Sequence, residues 1–259
     1  MKIAVTGKGG VGKTTVTALI GRVLKDLGKS VLFIDADPDM NLATVTGFPP
    51  DRNITPITHL KELIAERTGV IPGQPAPIFK MNPKVDDIPD KYCVEHDGYK
   101  LMVMGTIKTG GGGCACPENA FLKSLLGYMV IERDEWVLLD MEAGIEHLGR
   151  GTAIGVDHMI IVVEPSKTSI ETAYRIKKLT DDINIRSVQV VCNKVQSEDD
   201  RAFIENALDG FTLLGYMTQS DDIRNISLGR MSPGELDGRG LGEIKAIVDA
   251  ILGLPLRTS

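Results

Sequence analysis

Gly7-Lys8-Gly9-Gly10-Val11-Gly12-Lys13-Thr14-Thr15 follows an apolar run, Ile3-Ala4-Val5, and leads into a helical pattern. The spacing Gly7-x4-Gly12-Lys13-Thr14 between a strand and a helix is that of a phosphate-binding loop. Glycines let the backbone turn tightly and aim its N–H groups at phosphate oxygens, and the following helix adds the positive end of its dipole. Gly9, Gly10, Val11, Gly12, Lys13, Thr14 and Thr15 are therefore the expected nucleotide-binding residues, with Lys13 on the β- and γ-phosphates and the Thr14 hydroxyl on Mg²⁺. Val16, Leu19, Ile20, Val23, Leu24 and Leu27 recur at the helical period, and Gly28 supplies a stop. Lys8 has no place in that pattern.

A chain of 259 residues, 42 % hydrophobic and 25 % charged, suits one α/β domain spanning 1–259. A formal net charge of −6, without clustered Lys and Arg, argues against a nucleic-acid surface. The first residues enter a strand rather than a signal peptide, and no long apolar run offers a membrane span, so a cytoplasmic protein with no membrane partner is expected. Four cysteines, two of them only two apart, do not make a secreted disulfide framework.

Apolar runs at Lys2 to Thr6, Ser30 to Ile34, Leu101 to Met104, Glu135 to Leu139, His158 to Val163, Val188 to Cys192 and Leu213 to Met217 alternate with helical patterns. Such alternation predicts a doubly wound, mostly parallel sheet with helices on both faces. The stretch at about 49–98 differs, since Pro49 to Pro89 holds eight of the 13 prolines; a loop-rich excursion with one helix near Leu60 to Glu66 is expected.

Two acidic elements complete the expected nucleotide site. Phe33-Ile34-Asp35-Ala36-Asp37-Pro38-Asp39 delivers carboxylates to the carboxyl end of a strand, where open α/β sheets bind ligands. Asp37 is the candidate for orienting the attacking water, and Asp35 for a magnesium-bound water. Trp136-Val137-Leu138-Leu139-Asp140 ends a hydrophobic strand in a carboxylate suited to supporting Mg²⁺, and Gly144, shortly after it, offers an amide to the γ-phosphate. Asn193, in Val190-Val191-Cys192-Asn193-Lys194, has both a donor and an acceptor for adenine.

Cys114-Ala115-Cys116 follows four glycines. In an extended chain, residues two apart face one side, so both thiolates can meet one ion. Two thiolates make half a site for Zn²⁺ or Ni²⁺, and a symmetric dimer would supply the other pair. A Cys-x-Cys disulfide is strained, which disfavours that alternative. Cys192 reads as a core residue, and Cys93 near His96 is isolated.

Lys8-Gly9-Gly10-Val11-Gly12-Lys13-Thr14 resembles the deviant Walker A motif of the MinD, ParA and nitrogenase iron-protein class of dimeric ATPases. The resemblance implies that Lys8 crosses a homodimer interface to the partner subunit's nucleotide, and it supports Asn193 as the adenine reader. Gly113 to Asn119, together with Asp140 to Gly151, is similar to the CooC-type accessory ATPases of nickel carbon monoxide dehydrogenase. That family implies ATP-dependent nickel delivery to carbon monoxide dehydrogenase or acetyl-CoA synthase, with Cys114 and Cys116 sharing a metal across the dimer. His147 and Glu142 stand in the segment after Asp140, either to pass metal or signal onward or as solvated or structural residues. A positioning ATPase of the MinD or ParA kind and an iron-protein-like reductase are the alternatives. The reductase would need a cysteine in the switch, where Ala143 stands.

Overall fold

The computed structural model describes residues 1–52, 54–70, 78–105, 117–131, 135–143, 155–183, 185 and 187–253. Its strands are β1 (Lys2–Gly7), β2 (Val31–Ala36), β3 (Val94–His96), β4 (Tyr99–Val103), β5 (Trp136–Met141), β6 (His158–Val163), β7 (Val188–Val195) and β8 (Thr212–Thr218). They form one sheet in the order β3-β4-β2-β5-β1-β6-β7-β8. Every pairing is parallel except that of β3 with β4.

β1 and β6 are buried along their whole length. Burial on both faces is why these strands read as unbroken apolar runs rather than as alternation. On one face, Ile3, Val5, Phe33, Leu138 and Ile160 pack with helix α1 (Lys13–Asp26) and with the last described helix, Gly238–Leu252. On the other, Ala4, Ile34, Leu139 and Ile161 pack with Phe121, Leu125 and Met129 of Pro117–Ile131 and with Ile170 and Ile176 of Lys167–Asp182. Each large aliphatic or aromatic side chain so buried contributes about 1.5–3 kcal/mol against exposure. In the order of the described helices, these three are α9, α5 and α6.

The excursion at about 49–98 holds more regular structure than its prolines suggest. Besides α3 (Lys61–Thr68) it carries a 3₁₀ turn (Ile57–His59), a short helix, α4 (Ile88–Tyr92), and the edge strand β3. Pro89 sits in the first turn of α4, where its missing N–H would have had no intrahelical partner.

α1 ends as the glycine stop implies. Lys29 N–H donates to Leu24 C=O and Gly28 N–H to Lys25 C=O, the two bonds of a Schellman cap, with Gly28 at φ 72. Leu27, expected on the buried stripe, is instead 48 % exposed because it lies beyond the last helical turn. Inside the helix, Gly21 allows α1 to rest directly on the sheet: a Cβ there would collide with the Phe33 ring and lie 3.2 Å from Leu138. That contact sets the height at which the phosphate loop enters its helix. Gly21→Val is therefore expected to lower the urea midpoint with an unchanged m-value, through overpacking of about 1–3 kcal/mol. An unchanged midpoint would contradict the close approach.

Candidate functional site

The connections out of β1 leave on one side towards β2, whereas β5 crosses β1 to reach β6. This reversal opens a crevice at the carboxyl ends of the central strands, where doubly wound sheets bind ligands. The loop between β1 and α1 fills that crevice. Gly10 and Gly12 hold φ 83 and 92, a left-handed backbone that glycine adopts without Cβ strain.

Lys13 and Thr14, the first residues of α1, meet the acidic strand ends. β2 and β5 set Asp35 beside Asp140, and β1 sets Val5 on the other side of Asp140. Thr14 Oγ1 donates to Asp140 Oδ2 at 2.6 Å, while Asp140 Oδ1 is buried without a hydrogen-bond partner among the described residues. Burial pushes the Asp140 carboxyl up to about 7, against the opposing hydrogen bond from Thr14. Lys13 Nζ lies 3.3 Å from Asp37 Oδ2, with both side chains nearly covered. Asp37 Oδ1 also accepts from Asp39 N–H at 3.0 Å.

Asp35 braces the turn that follows its strand. Its two oxygens accept the Asp37 and Leu42 N–H groups at 3.2 and 3.0 Å, so the carboxylate fixes the turn that carries Asp37. Burial nevertheless raises its pKa to about 6. Thr6 Oγ1 donates to the Glu142 carbonyl at 2.6 Å, tying the segment after β5 to β1.

Lys8 turns away from Lys13: its Nζ donates to Thr168 Oγ1 at 2.8 Å, in the first turn of α6. Asn193 is 3 % exposed, and its Nδ2 donates to the Val11 carbonyl at 2.8 Å. Lys194 Nζ donates to the Gly10 carbonyl at 2.6 Å and pairs with Glu164 at 2.9 Å. Thr168, Glu164 and Lys194 went unread in the sequence, although Lys194 directly follows the Asn193 that was singled out. A cleft of about 220 Å³ beside them is lined by Glu164, Pro165, Lys194, Gln196, Asp200 and Gln219. Cys114, Cys116, Gly144 and His147 lie outside the described residues. Cys93 is half-buried and Cys192 is buried in the core.

A glycine loop on the positive end of a helix, faced by a cation and buried carboxylates, defines the phosphate-loop nucleotide-binding class. The chain belongs to the CobQ/CobB/MinD/ParA nucleotide-binding domain family, whose model matches residues 2–232. It is 43 % identical over 254 residues to the carbon monoxide dehydrogenase accessory protein CooC of Rhodospirillum rubrum, covering 97 % of this chain and 96 % of that one. It is also 43 % identical over 258 residues to an uncharacterized ATP-binding protein of Methanocaldococcus jannaschii, covering 98 % of each. In fold it is similar to the MinD cell division protein of Aquifex aeolicus, with TM-score 0.70 and 24 % identity, over 99 % of this chain and all of that one. No described helix is long and apolar enough to cross a membrane.

The raised pKa of Asp140 fixes a sign. The folded chain holds that proton up to about 7 whereas the unfolded value is 3.8, so the stabilising contribution is full below 3.8 and is lost as pH rises through about 7. Thermal midpoints of the nucleotide-free protein between about pH 5 and about pH 8 are expected to lose this falling component in Asp140→Asn, which stays neutral throughout. An identical pH profile in the variant would contradict the buried-carboxylate account.

Proposed function

We propose that this chain is a Mg²⁺-dependent ATPase that acts as a homodimer. It delivers nickel to carbon monoxide dehydrogenase or acetyl-CoA synthase during assembly of the nickel–iron–sulfur cluster. The observation that carries this reading is the end-to-end likeness to a carbon monoxide dehydrogenase accessory protein, in a chain that also contains Cys114-Ala115-Cys116.

The nucleotide site supports the ATPase half. An all-oxygen donor set, with Asp140 Oδ1 unpartnered and the Thr14 hydroxyl beside it, suits a hard cation. Thr14 would ligate Mg²⁺ and Asp140 would support it, the ion neutralising charge on the β- and γ-phosphates. Lys13 changes partner when ATP enters, because phosphate oxygens compete with the Asp37 carboxylate now 3.3 Å away. Asp37, released, is free to orient the attacking water. The water oxygen bonds to the γ-phosphorus as the bond to the β–γ bridging oxygen breaks, leaving ADP and phosphate. Lys8 leaves Thr168 to reach the partner subunit's nucleotide, where a second ammonium stabilises charge developing on the transferring group. The Gly144 amide senses that group.

The metal half rests on the thiolates. Cys114 and Cys116 of two subunits supply four sulfurs, enough for Ni²⁺ in a square plane or Zn²⁺ in a tetrahedron. Membership of the CobQ/CobB/MinD/ParA family leaves a second reading, a positioning ATPase, which needs no metal on the thiolates.

Stoichiometry separates the two readings. Titration with Ni²⁺, followed by thiolate-to-nickel charge-transfer absorbance, is expected to saturate at about one metal per two chains, and Cys114→Ser is expected to abolish tight binding. Saturation at one metal per chain, or undiminished affinity in Cys114→Ser, would refute the shared site. Lys8→Ala is expected to keep metal-induced dimers while losing those induced by a non-hydrolysable ATP analogue, as read by light scattering. Unaltered analogue-induced dimers would remove the trans role.

A further inference from the structure

The peptide planes of the phosphate loop have two sides. In a trans peptide the C=O and the next residue's N–H point in opposite directions. Holding the Gly10 and Val11 carbonyls on one side therefore aims the Val11 and Gly12 N–H groups to the other. Among the described residues the Val11 N–H makes a long turn contact, 3.4 Å, to the Lys8 carbonyl.

The donors that hold those carbonyls come from an irregularity at the end of β7. The ladder between β7 and β8 loses register between Cys192 and Val195, and Lys194 has a left-handed backbone at φ 59. Such a conformation costs a residue with a Cβ about 1–2 kcal/mol, and strain of this kind persists where the surroundings fix it. Consecutive residues of a regular strand face opposite sides. Here the break in register lets both Asn193 and Lys194 reach the loop, at 2.8 Å to Val11 O and 2.6 Å to Gly10 O. Glu164, at the end of β6, holds the Lys194 ammonium from the far side at 2.9 Å. The fit is close, since a Cβ on Gly12 would collide with the Asn193 amide.

We propose that Asn193 and Lys194 are positioning residues that buckle the phosphate loop from behind, fixing the peptide planes whose N–H groups receive the polyphosphate of the nucleotide. The inference rests on the ATP-binding reading of the loop. It departs from base recognition, because a buckle acts on phosphate whether or not a base is attached.

Calorimetric titration of the full chain with Mg-ATP and with Mg-tripolyphosphate separates these possibilities. Binding of both by the unaltered chain tests the reading of the loop, and the variants test the buckle. Lys194→Gly removes the ammonium while relieving the left-handed strain, so its nucleotide-free thermal midpoint is expected not to fall. Its affinity is expected to drop for both ligands by a common factor of about tenfold or more, the loss of one charge-assisted hydrogen bond. Lys194→Arg, which keeps a cationic donor, is expected to recover most of that loss. A loss confined to ATP would assign the pair to the base instead. Unchanged tripolyphosphate affinity in Lys194→Gly, or a loss that Lys194→Arg fails to recover, would overturn the proposal.

Discussion

A loop that binds phosphate through its backbone must turn its N–H groups towards the ligand, and its carbonyls are then left needing donors elsewhere. Much of the carboxyl edge of this sheet follows from that constraint. The Gly10 and Val11 carbonyls draw their donors from the end of β7, and the β6–α6 turn anchors one of those donors through Glu164. The first turn of α6, just beyond it, receives Lys8 on Thr168. Elements far apart in sequence thus converge on five residues of loop. Burial could be met by many strand orders, whereas this one sets β6 and β7 beside the loop.

The second feature of the edge is a cluster of covered carboxyl groups. Asp35 and Asp140 are neighbours on adjacent strands, and burial raises both carboxyls, to about 6 and about 7. Asp35 is satisfied by backbone N–H groups and serves the turn, but one oxygen of Asp140 faces no donor. Buried groups of this kind cost free energy and are retained where a ligand completes them. The Lys13–Asp37 pair is compensated, and on the proposed reading each partner exchanges the other for ATP or water. On that reading, ATP and Mg²⁺ would replace or complete these partners.

How much of this was legible in the sequence depends on range. The loop, Lys13, Thr14 and the strand carrying Asp140 could be read because a short, ordered motif and apolar runs mark them. The strands around β1 were legible for the same reason, as buried parallel strands leave long hydrophobic runs. β3 was not, because Val94-Glu95-His96 is a three-residue antiparallel edge strand, too short for any period to show. α4 was hidden by reading Pro89 as a loop residue although the first helical turn accepts it. Thr168, Glu164 and the partnership of Lys194 with Gly10 escaped because they arise from tertiary packing and from one left-handed residue. Thr168 and Glu164 belong to no local pattern, and the partner of Lys194 is distant in sequence. The contacts by which Asp35 braces its turn escaped for a related cause: its partners are backbone N–H groups, which no sequence pattern displays.

On the proposed reading, ATP hydrolysis at the phosphate loop drives release of nickel from Cys114 and Cys116. Its most direct measurement is the activity regained by nickel-deficient carbon monoxide dehydrogenase when mixed with nickel-loaded chain, with a metal chelator present to trap free ion. The account predicts recovery with Mg-ATP, and none with a non-hydrolysable analogue or with loaded Asp37→Asn. Equal recovery without nucleotide, or from nickel salt alone under the same chelator, would contradict it.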